Sequence, residues 1–278
     1  MRMDVLLDVG GTGIKAAFCD GTGHITPAKV YPSRAGEGKD ALLCHFSHII
    51  RETRDAAPGG VLGAVRMAFP GPFDYARGAP LLNGLAKYEA LYGVTLPDAL
   101  DAPPGTGWMF LNDVEAFALG AIEKFGLGGR AVFLCLGTGA GSAFSVGGKI
   151  SMDESEGIPP GGWVYPLPFL DGRIDDFLSV RGLTKLGGGL SPLELSGRPE
   201  GLAVYAEFGV RLRDAMAPVV ARFRPDAFVL GGGISKSAAL FQEPLAALLK
   251  GFRAELIVAE DTSALIFKGL AGRNLNGH

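Results

Sequence analysis

The chain has 278 residues, a formal charge of −3, 43 glycines and three cysteines. That length holds one large core or two ordinary ones, and two domains are expected. A mildly acidic chain is a poor binder of phosphate backbones, which sets nucleic acid aside as main partner. No apolar run approaches the roughly 20 residues of a membrane span.

The first residues, Met-Arg-Met-Asp, lead straight into a strand and leave no room for a signal peptide. Residues 4–9 (DVLLDV) read as a buried strand, and 14–19 (IKAAFC) as its hairpin partner across a glycine turn. A third strand is expected near 22–31. Over 39–56, Leu42, Phe46, Ile49 and Ile50 fall on one helical stripe. Residues 61–69 (VLGAVRMAF) form a strand stopped by PGP, and 80–107 are rich in turns. WMFLND (108–113) is a short strand ending in two polar residues, and a small-residue helix, VEAFALGAIEKF, follows.

AVFLCL (131–136) is a buried strand before a second glycine turn, and 151–172 is loop-like. Leu202, Tyr205, Phe208, Leu212, Met216, Val219 and Phe223 mark a long amphipathic helix over 201–223. AFVLGGG (227–233) is strand, then turn. This alternation implies an α/β architecture with helix-covered sheets. Residues 6–23 and 133–148 also share an order: apolar strand, G-T-G turn, second strand with Ala-Phe, glycine-rich turn. The pattern points to two related halves, with two ordinary hairpins as the alternative. Cys19, Cys44 and Cys135 form no C-x-x-C pair, which fits a reducing, cytoplasmic compartment and no disulfide framework.

The stretch LLDVGGTGIK (6–15) has the look of a phosphate site. It is no Walker A loop, because Lys15 is followed by Ala16, and no dinucleotide fingerprint, because Ala16 stands where the third glycine is required. A glycine turn between strands still aims successive N–H groups to one side as an anion nest. Gly10 and Gly11 permit close approach, Thr12 adds a hydroxyl, and Lys15 adds a positive charge. Asp8 would hold magnesium through water. A plain hairpin turn with a solvated lysine is the other reading of this motif alone.

Four motifs in order resemble the ROK group of sugar kinases, within the actin-like (hexokinase/heat-shock-70) ATPase superfamily. They are the first phosphate motif at 8–15, LNDVEAFALGA (111–121), LGTGAGSAF (136–144) and RPDAFVLGGGIS (224–235). FPGP (69–72) matches a turn in these proteins. The resemblance implies two actin-like (ribonuclease H-like) domains with a mixed sheet each and an active-site cleft between them. It places the first domain at 1–112, with a final helix (about 263–278) packing back on it, and the second at 113–262. It implies an ATP-dependent kinase acting on a glucose-like hexose, with Mg2+ and the possibility of a homodimer.

By the same resemblance Asp113 matches the general base and Asn112 the neighbour that orients the sugar. A helix N-cap is the structural alternative for Asp113, and the two roles are compatible. Gly137, Thr138 and Gly139 would hold the outer phosphates, and Gly231, Gly232 and Gly233 the adenosine. Asn83 falls where the family has a sugar-contacting asparagine, Tyr92 where it has an aromatic, and Gly71 in the FPGP turn joins them as a sugar contact. Lys87 and Glu89 are further candidates on that stretch.

The pattern also breaks. The family's G-E-x-G-H sugar motif and its cysteine-rich zinc loop are both missing, and 151–182 holds no His and no Cys. Structural zinc is therefore not expected. PGGWVYPLP (160–168) aligns best and puts Gly162 at the Glu and Tyr165 at the His. Trp163 and Tyr165 either stack on a sugar or plug the domain core, with the plug favoured. Asp175, Asp176 and Arg181 either bond hydroxyls or are solvated. Cys44, His45 and His48 read as helix residues. Two alternatives to a sugar kinase stand: a non-catalytic sugar-sensing protein of the same group, and a phosphotransferase acting on a non-sugar substrate.

Overall fold

The structure, a computed structural model, describes residues 2–57, 61–84 and 87–272. The chain divides into two compact units, residues 1–120 with 263–278, and residues 121–262. Each has its own apolar core.

The first unit is built on β1 (Arg2–Val9), β2 (Gly13–Asp20), β3 (Lys29–Pro32), β4 (Val61–Phe69) and β5 (Gly107–Asn112), in the order β3-β2-β1-β4-β5. β1 runs antiparallel to β2 and parallel to β4, which runs parallel to β5. β4 is buried from Leu62 to Phe69, as a central strand covered on both faces must be. Helix α1 (Lys39–Asp55) lays Leu42, Phe46, Ile49 and Ile50 on the sheet, all but excluded from solvent. Buried His45 on this helix meets the Pro32 carbonyl through Nε2 at 2.8 Å, while Cys44 is exposed and His48 faces Glu52 at 3.3 Å.

The third strand begins later than its sequence implies. Asp20 Oδ1 accepts the N–H groups of Thr22 and His24, and this side-chain turn holds the chain off the sheet. Only a single bridge, Cys19 to Ile25, forms before pairing resumes at Lys29.

Helix α2 (Asp113–Phe125) follows β5 directly. The second unit then carries β6 (Ala131–Leu136), β7 (Ala140–Val146), β8 (Lys149–Ile150), β9 (Ala227–Gly231) and β10 (Glu255–Val258), in the order β8-β7-β6-β9-β10. β6 is antiparallel to β7 and parallel to β9, which is parallel to β10. Both units thus carry one mixed five-stranded arrangement, and the two similar sequence stretches supply the same pair of strands in each.

Helices α3 (Val180–Leu186), α4 (Pro199–Phe223) and α5 (Glu243–Gly251) belong to this second unit. α4 buries Tyr205, Phe208, Leu212, Met216, Val219 and Phe223; Leu202, read as part of that stripe, is 58% exposed in the first turn.

Helix α6 (Thr262–Gly272) crosses α2 at backbone contact. A Cβ on Gly120 would overlap the Leu265 carbonyl, and one on Gly269 the Ala116 carbonyl, so glycine is required at both positions. The last turn of α6 is held from β4: Arg66 Nη1 donates to the carbonyls of Leu270 and Ala271 at 2.8 and 3.3 Å. Its Nε donates to Asp4 at 2.8 Å, so the buried guanidinium is paired as well as hydrogen-bonded. Among the described residues no helix is long and apolar enough to cross a membrane.

Candidate active site

Register brings the unit 1 residues together. Asp8 pairs with Ala68 and Phe69 with Asn112, so the carboxyl ends of β1, β4 and β5 share one edge of the sheet. Ligand sites in α/β sheets form at such edges. The glycine turn after β1, the FPGP turn after β4 and the Asn112–Asp113 pair after β5 all lie there.

The first turn is closed by Gly10 N–H donating to the Gly13 carbonyl at 2.9 Å. Its other carbonyls point at protein donors. Tyr88 Oη donates to Gly10 O at 2.8 Å, Ser33 Oγ to Gly11 O at 2.8 Å, and Ser33 N–H to Thr12 O at 3.3 Å. Among the described residues no acceptor meets the N–H of Gly11 or Thr12. Two amide donors and three pinned carbonyls are the electrostatic arrangement an anion needs. An open groove of about 430 Å³ beside the turn is lined by Asp8, Gly10, Thr12, Gly13 and Lys15, among others.

Asp8 and Lys15 face each other across β1 and β2. Lys15 Nζ lies 4.0 Å from Asp8 Oδ2. Ser263, at the start of α6, joins the two: its Oγ donates to Asp8 Oδ2 at 2.8 Å and accepts a hydrogen bond from Lys15 Nζ. Sequence reading missed this serine, because only the fold of the last helix carries it to the first strand.

At the end of β5 the helix cap falls to Asn112. Its Oδ1 accepts the N–H groups of Val114 and Glu115 at 3.0 and 3.2 Å, the bonding of an N-cap. Its Nδ2 donates to Tyr75 Oη at 3.2 Å, and Tyr75 donates onward to the Phe69 carbonyl at 3.0 Å. Gly71 lies beside this pair, with the site of a Cβ 3.4 Å from Tyr75 Oη. Asn112 is thereby fixed at both ends of its amide. Asp113 accepts Val114 N–H at 3.0 Å.

Burial and, next, the charge of Asp8 push the Asp113 carboxyl up to about 6; Lys87 and backbone donors pull the other way without offsetting them. A carboxylate with a pKa near the working pH is suited to taking a proton in a transition state. Lys87 reaches the same edge: its Cδ and Cε lie 3.2 Å, and its Nζ 3.5 Å, from where a Cβ of Gly11 would stand. Glu89 and Asn83 are exposed, and Tyr92 is 58% exposed.

The second unit presents its own turns. Gly137 N–H donates to Gly139 O at 2.9 Å, and Gly137 O accepts from Val180 N–H at 2.8 Å. Thr138 is exposed at the tip, and Gly137 faces open space. Gly231 pairs with Cys135, which aligns the end of β9 with that of β6. Gly232 has a φ of 93° and packs so closely on Leu136 that a Cβ would overlap its carbonyl. Gly232 N–H donates to Thr262 Oγ1 at 2.8 Å, and Gly233 is open. Only glycine satisfies both demands at 232.

The loop at 151–182 corrects one expectation. Trp163 and Tyr165 do not plug the core: they are 51% and 40% exposed, with ring centroids 5.9 Å apart. Val164 between them is the residue buried. Asp175 is not simply solvated. Its Oδ1 accepts Ala140 N–H at 2.8 Å and lies against Gly139, supporting the second glycine turn, while Arg181 bridges Asp175 and Asp176 at 3.3 and 2.8 Å.

Magnesium has a chemically suitable, incomplete set of ligands. Asp8 and Asp113 offer hard oxygens and repel each other, which a cation relieves. Among the described residues no three His, Cys, Asp or Glu side chains gather to hold a metal. Water and phosphate oxygens would complete such a shell, as suits an ion that keeps several waters.

This fold, two mixed five-stranded sheets with helices, is the actin-like fold of ROK-family proteins, and the chain resembles ROK sugar kinases in sequence motifs and architecture. No family model matches it. It is 27% identical over 266 residues to N-acetyl-D-glucosamine kinase of Photobacterium profundum, covering 85% of this chain and 86% of that protein. A ROK family glucokinase from Streptomyces griseus, solved with glucose and AMPPNP, superposes with a TM-score of 0.77 at 18% identity, covering 96% and 98%. A ROK family transcriptional regulator, a homolog of the E. coli MLC protein, reaches 0.75 at 14% identity, covering 97% of this chain and 80% of that one.

Proposed function

We propose that this chain is an ATP-dependent sugar kinase of ROK type. The fold alone does not decide this, since kinases and a regulator share it. The observation that carries the reading is Asp113: a carboxyl raised to about 6 at the edge where the first glycine turn presents its free amides. A protein that only bound sugar would have no need of a carboxylate tuned to accept a proton.

In this reading the sugar hydroxyl is placed by Asn112, whose amide the cap and Tyr75 hold rigid, with Gly71 leaving room beside it. Asp113 takes the hydroxyl proton as the oxygen bonds to the γ-phosphorus and the bond to ADP breaks. The glycine turn at 10–13 and Lys15 hold the phosphoryl group, with Lys15 set by Ser263. Gly137, Thr138 and Gly139 bind the outer phosphates, and Gly231 to Gly233 the adenosine. Asp8 would hold a magnesium ion, whose charge would offset that of the phosphates. The curated relative makes N-acetylglucosamine the first sugar to try, and the glucokinase makes glucose the second.

The test is ADP release from Mg-ATP across N-acetylglucosamine, glucose, mannose, fructose, allose, N-acetylmannosamine and no sugar, with Asp113→Ala alongside. Sugar-dependent turnover lost by at least 10³-fold in the variant supports the reading. Turnover retained in the variant overturns the base assignment. ATP bound but no turnover with any sugar overturns the kinase.

A further inference from the structure

We propose, resting on that reading, that Lys87 is a catalytic residue of the phosphoryl transfer, its ammonium contacting the γ-phosphoryl over the first glycine turn. Three observations converge on it. The side chain lies across Gly11, with two methylenes 3.2 Å and Nζ 3.5 Å from the position a Cβ would occupy. The ammonium is therefore beside the turn whose Gly11 and Thr12 amides are open to an anion. Glycine at 11 serves this lysine as much as it serves the phosphate.

The neighbouring residue is anchored as if to deliver it. Tyr88 is fully buried against Phe46 and Phe69, its Oη donates to Gly10 O, and its N–H donates to Ala35 O at 2.7 Å. Its φ of 51° is left-handed, which an aromatic residue adopts only when its surroundings over-determine it. The strained, doubly tied Tyr88 fixes the direction in which the chain enters at Lys87. Lys87 also acts electrostatically on Asp113. A cation beside the anion nest is placed for charge that grows on the phosphoryl oxygens in the transition state.

In the transfer the sugar oxygen forms its bond to the γ-phosphorus, and the bond from phosphorus to the bridging oxygen breaks. ADP leaves with the electron pair and the hydroxyl proton passes to Asp113. The Lys87 ammonium offsets the charge on the phosphoryl oxygens.

The experiment compares Lys87→Gln and Lys87→Arg with the wild type. For Lys87→Gln we expect kcat lower by 10²-fold or more, KM for the sugar within about 3-fold, and an unchanged Tm. Lys87→Arg should recover at least tenfold of that loss. In calorimetry with magnesium, AMPPNP affinity should fall about tenfold in Lys87→Gln while ADP affinity holds. Unchanged kcat and AMPPNP affinity would overturn the proposal, as would a loss of ADP and AMPPNP affinity together. If the wild type itself transfers nothing to any sugar, the kinase reading fails. The AMPPNP-against-ADP comparison then decides alone whether Lys87 contacts a γ-phosphoryl.

Discussion

Asp113 sits where two demands on one helix start were separated. A chain entering α2 needs a cap, and an aspartate there would ordinarily supply it. Asn112 caps instead, and Asp113 is left buried with a raised pKa. The cost is measurable. A carboxyl with a pKa of about 6 folded and 3.8 in its ordinary state is destabilising when charged. Its penalty is absent below about pH 3.8, grows as pH rises from there to about 6, and levels at about 3 kcal/mol above that. Asp113→Asn should therefore be more stable than the wild type at pH 8 by about 1–3 kcal/mol, with the gain shrinking between pH 6 and 4. Urea unfolding across that range reads it; a gain independent of pH would disprove the raised pKa. In the wild type, kcat/KM should fall on the acid side with an apparent pKa near 6.

At the scale of elements, α6 is the piece that completes the unit 1 edge. Its first turn carries Ser263 to Asp8 and Lys15, and its last turn is gripped by Arg66. Ser263→Ala removes a hydroxyl bonded to two charged groups and should cost about 1–3 kcal/mol. It should also raise KM for ATP about tenfold by releasing Lys15, with kcat changed less. A variant with unchanged ATP kinetics would leave Ser263 a structural residue only. The crossing of α2 and α6 tolerates no side chain: Gly269→Ala places a methyl on the Ala116 carbonyl. We expect a loss of about 2–3 kcal/mol and a Tm lower by several degrees, read by thermal unfolding. Periodicity made α1 and β4 legible to within a residue, because each answers to a local pattern. The third strand was not, since one aspartate side chain held the turn at 20–24. Ser263 and the role of Tyr88 were equally out of reach, because neither belongs to a motif and each acquires its partners only through tertiary contact.

At the scale of the molecule, the two sheets share one strand order but differ in what their strand ends carry. In unit 1 the ends hold carboxylates, Asp8 and Asp113, beside one glycine turn. In unit 2 they hold glycine turns at 137–139 and 231–233, with Asp175 turned inward to bond Ala140 N–H. The glycine motifs were legible because each is contiguous in sequence, whereas Trp163 and Tyr165 were misplaced because aromatic content alone does not say which side of a loop faces solvent. This asymmetry predicts separable losses. Gly232→Val cannot adopt a φ of 93° without strain, and its side chain meets the Leu136 carbonyl, so both unit 2 turns distort. AMPPNP binding should fall at least 10²-fold in that variant, while sugar binding, which the proposed function assigns to unit 1, stays within about 3-fold. Asp113→Asn should do the reverse, sparing AMPPNP and weakening the sugar. Calorimetric titration of both ligands into both variants checks the division, and a Gly232→Val protein that loses the sugar as fully as the nucleotide would show that the two functions are not divided between the sheets.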